Sequence, residues 1–119
     1  MPGVEAELDV SRLGELQELL GTEVPAIVRT LVTELDGAVA SIEEALDAGD
    51  LSEVAAAAHA GRNSALMVDA QPVLRVLKQL ETCARNDEVE GAMAARVSLR
   101  RAWPRLRVQL QRAGDDGRG

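Results

Sequence analysis

The strongest constraint on the fold is a run of apolar residues that recur every three or four positions between Val24 and Leu46. Its members are Val24, Ile27, Val28, Leu31, Leu35, Val39, Ile42 and Leu46. This spacing matches the turn of an α-helix and predicts a helix of about six turns with one apolar face. Thr22 can cap its start, Pro25 falls in its first turn, where a missing N–H is tolerated, and Gly49 closes it.

One more helix is predicted before this one and one after it. A short amphipathic helix precedes it, capped by Asp9 or Ser11 and ending before Gly21. Its apolar positions are Leu13, Leu16, Leu19 and Leu20. A third helix should run over about residues 51–68, because Asp50 and Glu53 are spaced as in a variant capping box.

The second half of the chain also predicts amphipathic helices. A fourth helix should follow Pro72, with an inner face formed by Val73, Leu74, Leu77, Leu80 and Ala84. Asn86 and Asp87 make a turn, and a fifth helix is predicted from Glu88 to about Gln111. Pro104 should kink that helix or split it in two.

These segments predict an all-α protein. No strand pattern competes with the helical one, and turns of only a few residues join long helices as antiparallel neighbours. We therefore expect an antiparallel four-helix bundle with a short N-terminal accessory helix. The expected organisation is a flexible N-terminus over residues 1–7, one helical bundle over 8–112 and a disordered tail over 113–119.

Composition and charge exclude several classes of function. The chain of 119 residues has a net charge of −7 and a single aromatic residue, Trp103. Nucleic-acid binding is not expected, since it usually needs a basic field and aromatic platforms. No apolar run is long enough to span a membrane, and the acidic N-terminus is unlike a secretory signal. Cys83 is the sole cysteine, so we expect a buried structural thiol and a cytosolic protein.

The single histidine, His59, lies on the predicted third helix. At about 100° per residue, one broad side of this helix gathers Leu51, Val54, Ala58, Gly61, Ala65 and Val68. His59 points away from the centre of that apolar stripe. The residues that share its direction are Ser52, Ala55, Ala56, Arg62, Asn63 and Leu66. This face offers an imidazole, a guanidinium one turn later and small side chains around both.

Two interpretations of this face stay open on spacing alone. A neutral imidazole can attack phosphorus and hold the group as a labile phosphoramidate, while Arg62 pairs with the phosphoryl oxygens. Alternatively, His59 is simply solvated, Arg62 pairs with a carboxylate, and the alanines reflect helix propensity. No carboxylate cluster near His59 is evident in the sequence, and one His with one Cys cannot form a conventional tetrahedral metal site. No cofactor or metal is therefore expected in this chain.

The sequence around His59 resembles the histidine phosphotransfer (HPt) domains of multistep phosphorelays. The family pattern is an alanine-rich approach to an exposed histidine followed by roughly H-x-L-K-G-S-A. Here residues 57–65 read Ala-Ala-His-Ala-Gly-Arg-Asn-Ser-Ala, with Ala70 at a later small position. The flanking turn at 48–50, the Leu-Glu pair at 80–81 and the turn at 85–87 also match. The likeness covers about residues 8–112.

The resemblance implies roles for particular residues. His59 would be the phosphoacceptor, Arg62 would replace the family's lysine in stabilising the phosphate, and Ser64 would orient the imidazole or the nearby backbone. Two positions depart from the family pattern. Asn63 stands where a glycine usually keeps the surface flat, which could slow transfer, and Gly61 replaces an apolar residue and weakens the helix by about 1 kcal/mol relative to Ala.

The leading hypothesis is a monomeric phosphocarrier that receives a phosphoryl group on His59 from a receiver-domain aspartyl phosphate and passes it to another receiver. Its partners would be response-regulator receiver domains and also a hybrid sensor kinase. They would dock on Ser52, Ala55, Ala56, Asn63 and Leu66, with Mg²⁺ supplied by the receiver. The family has no ATP site or autokinase activity, so no enzyme is expected. The alternative is a non-transferring adaptor or inhibitor that binds a receiver or sensor kinase.

Overall fold

The computed structural model describes residues 24–68 and 70–116, and it contains four α-helices in these ranges. We name them α1 (Val24–Ala48), α2 (Leu51–Met67), α3 (Gln71–Arg85) and α4 (Val89–Asp116). The predicted N-terminal helix and the flexible segment 1–7 lie outside the described residues. No strand occurs in the described part of the chain.

The helices form a closed four-helix bundle. Each helix packs on the next one in sequence, and α1 also packs on α4, so the bundle has four helix–helix interfaces. Because the connections are only a few residues long, successive helices are antiparallel. The predicted all-α bundle is confirmed. No described helix combines the length and hydrophobicity that crossing a bilayer requires.

The core is almost entirely aliphatic. Its fully buried large side chains are Leu31, Leu35, Ile42, Val54, Val68, Val73, Leu77, Leu80, Leu99, Leu106 and Leu110. Trp103 is also buried, and its indole Nε1 donates a hydrogen bond of 2.8 Å to Asp36 on α1. Cys83 is buried as predicted. Burial raises the pKa of the Cys83 thiol, and the carboxylate of Glu88 raises it further.

The turn before α2 is built by two residues that the sequence identifies. Gly49 has φ +73°, a left-handed conformation that costs glycine little, and the Asp50 amide bonds to the Ala45 carbonyl at 2.9 Å. The Asp50 side chain then accepts a hydrogen bond from the Glu53 amide at 3.1 Å, which caps α2. These contacts set where α2 begins and therefore which of its residues face outward.

Helix α4 differs from the prediction in two ways. It continues to Asp116 instead of ending near Gln111, so residues 113–116 are helical and the predicted disordered tail begins too early. Gly114 is buried, with an ideal Cβ only 3.2 Å from Val28, which shows that α1 covers this end of the helix. Pro104 does not split α4. The proline is exposed, so water can solvate the carbonyl that loses its helical donor.

Ion pairs join α1 and α4 along one edge of the bundle. Arg96 bonds to Glu43 at 2.6 Å and to Asp47 at 2.7 Å, and Arg100 also bonds to Glu43. Arg107 pairs with Asp36 further along the same edge. These contacts connect opposite charges at regular helical spacing and favour one antiparallel register of the two helices.

Candidate functional site

The second helix presents His59 to solvent as the sequence predicts. Its inner face buries Val54, Ala58, Gly61, Ala65 and Val68, all members of the predicted apolar stripe. The imidazole of His59 lies at the edge of the face turned toward α3 and is 58% exposed. A side chain at this place is open to an incoming molecule.

Gly61 brings α2 close to its neighbours. An ideal Cβ at this position would lie 3.1 Å from the Cβ of Ala38 on α1 and 3.3 Å from Leu77 on α3. The missing side chain therefore lets α2 settle between the two helices. This close packing fixes the height and rotation of the helix that carries His59.

The side chain that contacts the imidazole is Glu81 on α3. Its Oε2 lies 3.1 Å from Nδ1 of His59, and its carboxylate is only 6% exposed. Because an ionised carboxylate can only accept, Nδ1 is the donor in this hydrogen bond. The proton on Nδ1 leaves the lone pair on Nε2, which makes no hydrogen bond to any residue that the structure describes.

Two guanidinium groups share the same carboxylate. Arg62 on α2 donates to Oε1 of Glu81 at 2.6 Å, and Arg85 on α3 approaches Oε2 at 2.5 Å. Burial alone would raise the pKa of Glu81. The hydrogen bond from Arg62, the charge of Arg85 and the hydrogen bond from His59 overcome burial and lower that pKa below its ordinary value. Glu81 is therefore ionised at neutral pH, and the carboxylate that holds the imidazole also binds two cations.

The other predicted site residues do not all fall where the sequence placed them. Ser52, Ala56, Asn63 and Leu66 are exposed on α2. Ala55 is buried in the core cluster, because it lies on the side of α2 that α3 covers, so it is not part of an exposed docking surface.

Ser64 is directed away from His59. Its hydroxyl is buried and donates to Glu34 on α1 at 3.0 Å, which ties α2 to α1. The contact that orients the imidazole comes from Glu81 instead. Arg62 pairs with a carboxylate in this structure, one of the two possibilities that its spacing left open.

The role of Glu81 is the part of the site that sequence reasoning missed. The residue follows Leu74 by seven positions and Leu77 by four, so it lies on the apolar inner side of α3. A carboxylate in such a row must be paired with cations to be buried. That signal, combined with Arg85 one turn later on the same helix, could have identified it.

The site does not resemble a metal centre. Within residues 24–68 and 70–116 no group of three or more His, Cys, Asp or Glu side chains is placed to hold a metal ion. Both oxygens of Glu81 are already engaged by the imidazole and the two guanidinium groups. The residues around His59 therefore do not fit a Mg²⁺ site of this chain's own.

The comparisons with known proteins converge on one family. The family model described as the Hpt domain matches residues 26–114. The structure is similar to the crystal structure of histidine-containing phosphotransfer protein B from Pseudomonas aeruginosa PAO1, with a TM-score of 0.86 and 26% sequence identity. That match covers 92% of this chain and 96% of the other. No curated protein matches the sequence significantly.

Proposed function

This chain belongs to the Hpt domain family, the histidine phosphotransfer carriers of phosphorelays, and we propose that His59 accepts a phosphoryl group from a receiver-domain aspartyl phosphate and passes it to another receiver. The observation that carries the proposal is the orientation of the imidazole. Nδ1 is held by the buried Glu81, which leaves an unprotonated Nε2 on the exposed side of the ring.

In the proposed reaction, the Nε2 lone pair attacks phosphorus while the bond from phosphorus to the aspartyl oxygen breaks. The aspartate leaves as a carboxylate, and its electron pair stays on that oxygen. The new N–P bond places a positive charge on the ring, because Nδ1 keeps its proton. Glu81 faces that charge at 3.1 Å and stabilises the phosphorylated imidazolium. Passing the group on reverses these steps, with a second aspartate as nucleophile.

The two guanidinium groups supply the positive charge that the phosphoryl oxygens need. Arg62 is 30% exposed and Arg85 is 63% exposed, so both remain accessible to solvent. Charge-assisted hydrogen bonds of guanidinium to phosphoryl oxygens are among the stronger polar contacts in proteins. In this proposal Glu81 holds both cations ready beside the nucleophile, and the incoming receiver supplies Mg²⁺.

The receiver docks on the exposed part of α2 around His59. Ser52, Ala56, Asn63 and Leu66 surround the imidazole with mostly short side chains, which allows the in-line approach that transfer requires. Leu66 is 50% exposed and offers the receiver an apolar contact on one side of the imidazole. The protein acts as a cytosolic monomer and has no autokinase activity in this proposal, so receivers and a hybrid kinase would be its phosphoryl donors.

The test is transfer from a panel of phosphorylated receiver domains to the wild type and to His59→Gln. We expect label on the wild type alone, and the label should be lost in acid and kept in alkali, as a phosphoramidate is. His59→Gln should still bind the receivers, because the exposed surface around position 59 is unchanged. If receivers bind but no label reaches the wild type across the panel, the protein is an adaptor and the carrier function is wrong.

A further inference from the structure

A second polar surface lies on the far edge of α3, away from His59. Helices α3 and α4 enclose a groove of about 410 Å³ between them. Its lining residues are Pro72, Arg75, Val76, Gln79, Ser98, Arg101, Ala102 and Arg105. Three of these carry a positive charge and none carries a negative one. The groove therefore favours an anionic occupant.

The positive charge of the groove reflects an excess of arginine along most of α4. Residues 91–114 contain six arginines and no aspartate or glutamate, although the whole chain has a net charge of −7. Three of the arginines, at positions 96, 100 and 107, bond to carboxylates of α1 and thereby hold the bundle together. The remaining three, Arg101, Arg105 and Arg112, lie on other faces of α4. Arg101, which lines the groove, is exposed to solvent.

Apolar side chains lie both on the outer face of α4, beside the groove, and in the groove itself. Val97 precedes Arg101 by one turn and Val108 follows it by two, so all three point in similar directions. Val97 is 50% exposed and Val108 is 45% exposed. Pro72 and Val76 contribute apolar surface from α3. A partner that fits here needs acidic side chains for the arginines and apolar ones for Pro72 and Val76.

We propose that the groove between α3 and α4 docks an acidic amphipathic helix of a partner protein. The ridge of a helix fits the furrow between two packed helices, and an apolar stripe with acidic flanks complements Pro72, Val76 and the arginines. A protein helix is favoured over an anionic membrane because the surface is concave and exposes no aromatic side chain for a lipid interface.

This surface is distinct from the phosphotransfer site. Arg75 and Glu81 are separated by six residues on α3, which places them about 120° apart around the helix axis. Glu81 faces α2 and His59, whereas Arg75 lines the groove toward α4. A bound helix would therefore tether the protein to a partner while the imidazole stays open.

The proposal can be tested with a fluorescent designed peptide that forms a helix with leucines on one face and glutamates on its flanks. The variants are Arg75→Glu, Arg101→Glu and, as a matched control, Arg29→Glu on the exposed side of α1. We expect the combined Arg75→Glu and Arg101→Glu changes to weaken binding about tenfold, while Arg29→Glu changes it less than about twofold. Binding should also fall as salt is added, and His59→Gln should leave it unchanged.

Several results would overturn the proposal. They are failure of the wild type to bind the acidic peptide, equal losses in the groove variants and in Arg29→Glu, and loss of binding in His59→Gln. Preferential binding to vesicles containing phosphatidylglycerol would identify a membrane site instead. Sedimentation of the wild type as a dimer that Arg101→Glu dissociates would identify a second copy of this chain as the occupant.

Discussion

The Nδ1 of His59 lies 3.1 Å from the Oε2 of Glu81, so an imidazole that is 58% exposed is bonded to a carboxylate that is 6% exposed. The buried carboxylate of Glu81, on another helix, thus holds the ring through Nδ1, while Nε2 faces outward. This relationship sets the tautomer of the histidine and places a fixed negative charge behind it. Both features would matter to the proposed phosphoryl transfer through His59.

Replacing Glu81 with Gln should slow phosphoryl transfer to His59 by roughly tenfold to a hundredfold, because an amide keeps the shape but not the charge that stabilises the imidazolium. Single-turnover transfer from a phosphorylated receiver measures the rate. The ¹⁵N chemical shifts of the imidazole provide a second readout, which should show a weaker Nδ1–H preference, because the amide oxygen still accepts from Nδ1 but carries less negative charge. Glu44→Gln, on the exposed side of α1, is the control and should change neither. Unchanged shifts in Glu81→Gln would contradict the positioning role.

Arg62 can be tested by comparing Arg62→Ala with Arg62→Lys. Removing the guanidinium takes away a 2.6 Å bond to Glu81 and a cation beside the phosphoryl group, so we expect Arg62→Ala to slow transfer about tenfold or more. Lysine keeps the charge and should recover part of the rate. Thermal melts of both variants separate lost function from lost folding. Equal rates for alanine and lysine would show that charge at this position is not used.

Two glycines should respond oppositely to alanine. Gly37→Ala should stabilise the protein by about 0.5–1 kcal/mol, since the site is helical and has nothing within 4 Å of the added Cβ. Gly61→Ala should destabilise it by about 1–2 kcal/mol, because the new methyl group would press on Ala38 at 3.1 Å and on Leu77. Urea unfolding of the two variants measures whether the free energy of unfolding rises or falls in each. A stable Gly61→Ala protein would mean that α1 and α2 can separate at little cost.

Acid should weaken the ion pairs that join α1 to α4. The hydrogen bond from Arg100 lowers the pKa of Glu43, burial raises it, and the bond and charge of Arg96 lower it further, with a net result below the ordinary 4.5. A carboxylate with a lowered folded-state pKa stabilises the protein above its unfolded pKa and loses that contribution as the pH falls through the folded value. The free energy of unfolding should therefore drop more steeply below about pH 4.5 in the wild type than in Glu43→Gln.

Urea titrations from neutral pH down to about pH 3 provide this comparison. Glu44→Gln is again the matched control, since Glu44 is an exposed neighbour on the same helix. It should keep the acid dependence of the wild type. Identical curves for the wild type and Glu43→Gln would show that this carboxylate contributes nothing to acid stability.

The fold could be read from the sequence because it depends on local, repeated signals. The apolar spacing of Leu35 and Ile42 identifies α1, and Gly49 with Asp50 marks the turn into α2. The end of α4 was missed because Gly114 is held by a tertiary contact with Val28, which no local pattern reveals. Helical spacing alone could not show that the tertiary packing extends this far.

The site was predictable only in part for a similar reason. The position of His59 on an outer face follows from its own helix, whereas the orientation of its ring depends on Glu81, which is 22 residues away. Helical geometry placed Ala55 on the same face as His59, and the family resemblance gave Ser64 its orienting role. The structure directs Ser64 to Glu34 and buries Ala55, because α1 and α3 cover both flanks of α2.

The exposure of His59 has a consequence for how a relay through this protein would run. One imidazole on one open face can meet only a single receiver at a time, so a donor must leave before an acceptor arrives. No bridging complex of the three proteins through this site would form. The flow of phosphoryl groups would then depend on how many copies of the carrier are present and how fast they diffuse. Because the phosphorylated imidazole would be exposed to solvent, the protein would keep the phosphoryl group only for the lifetime of the N–P bond.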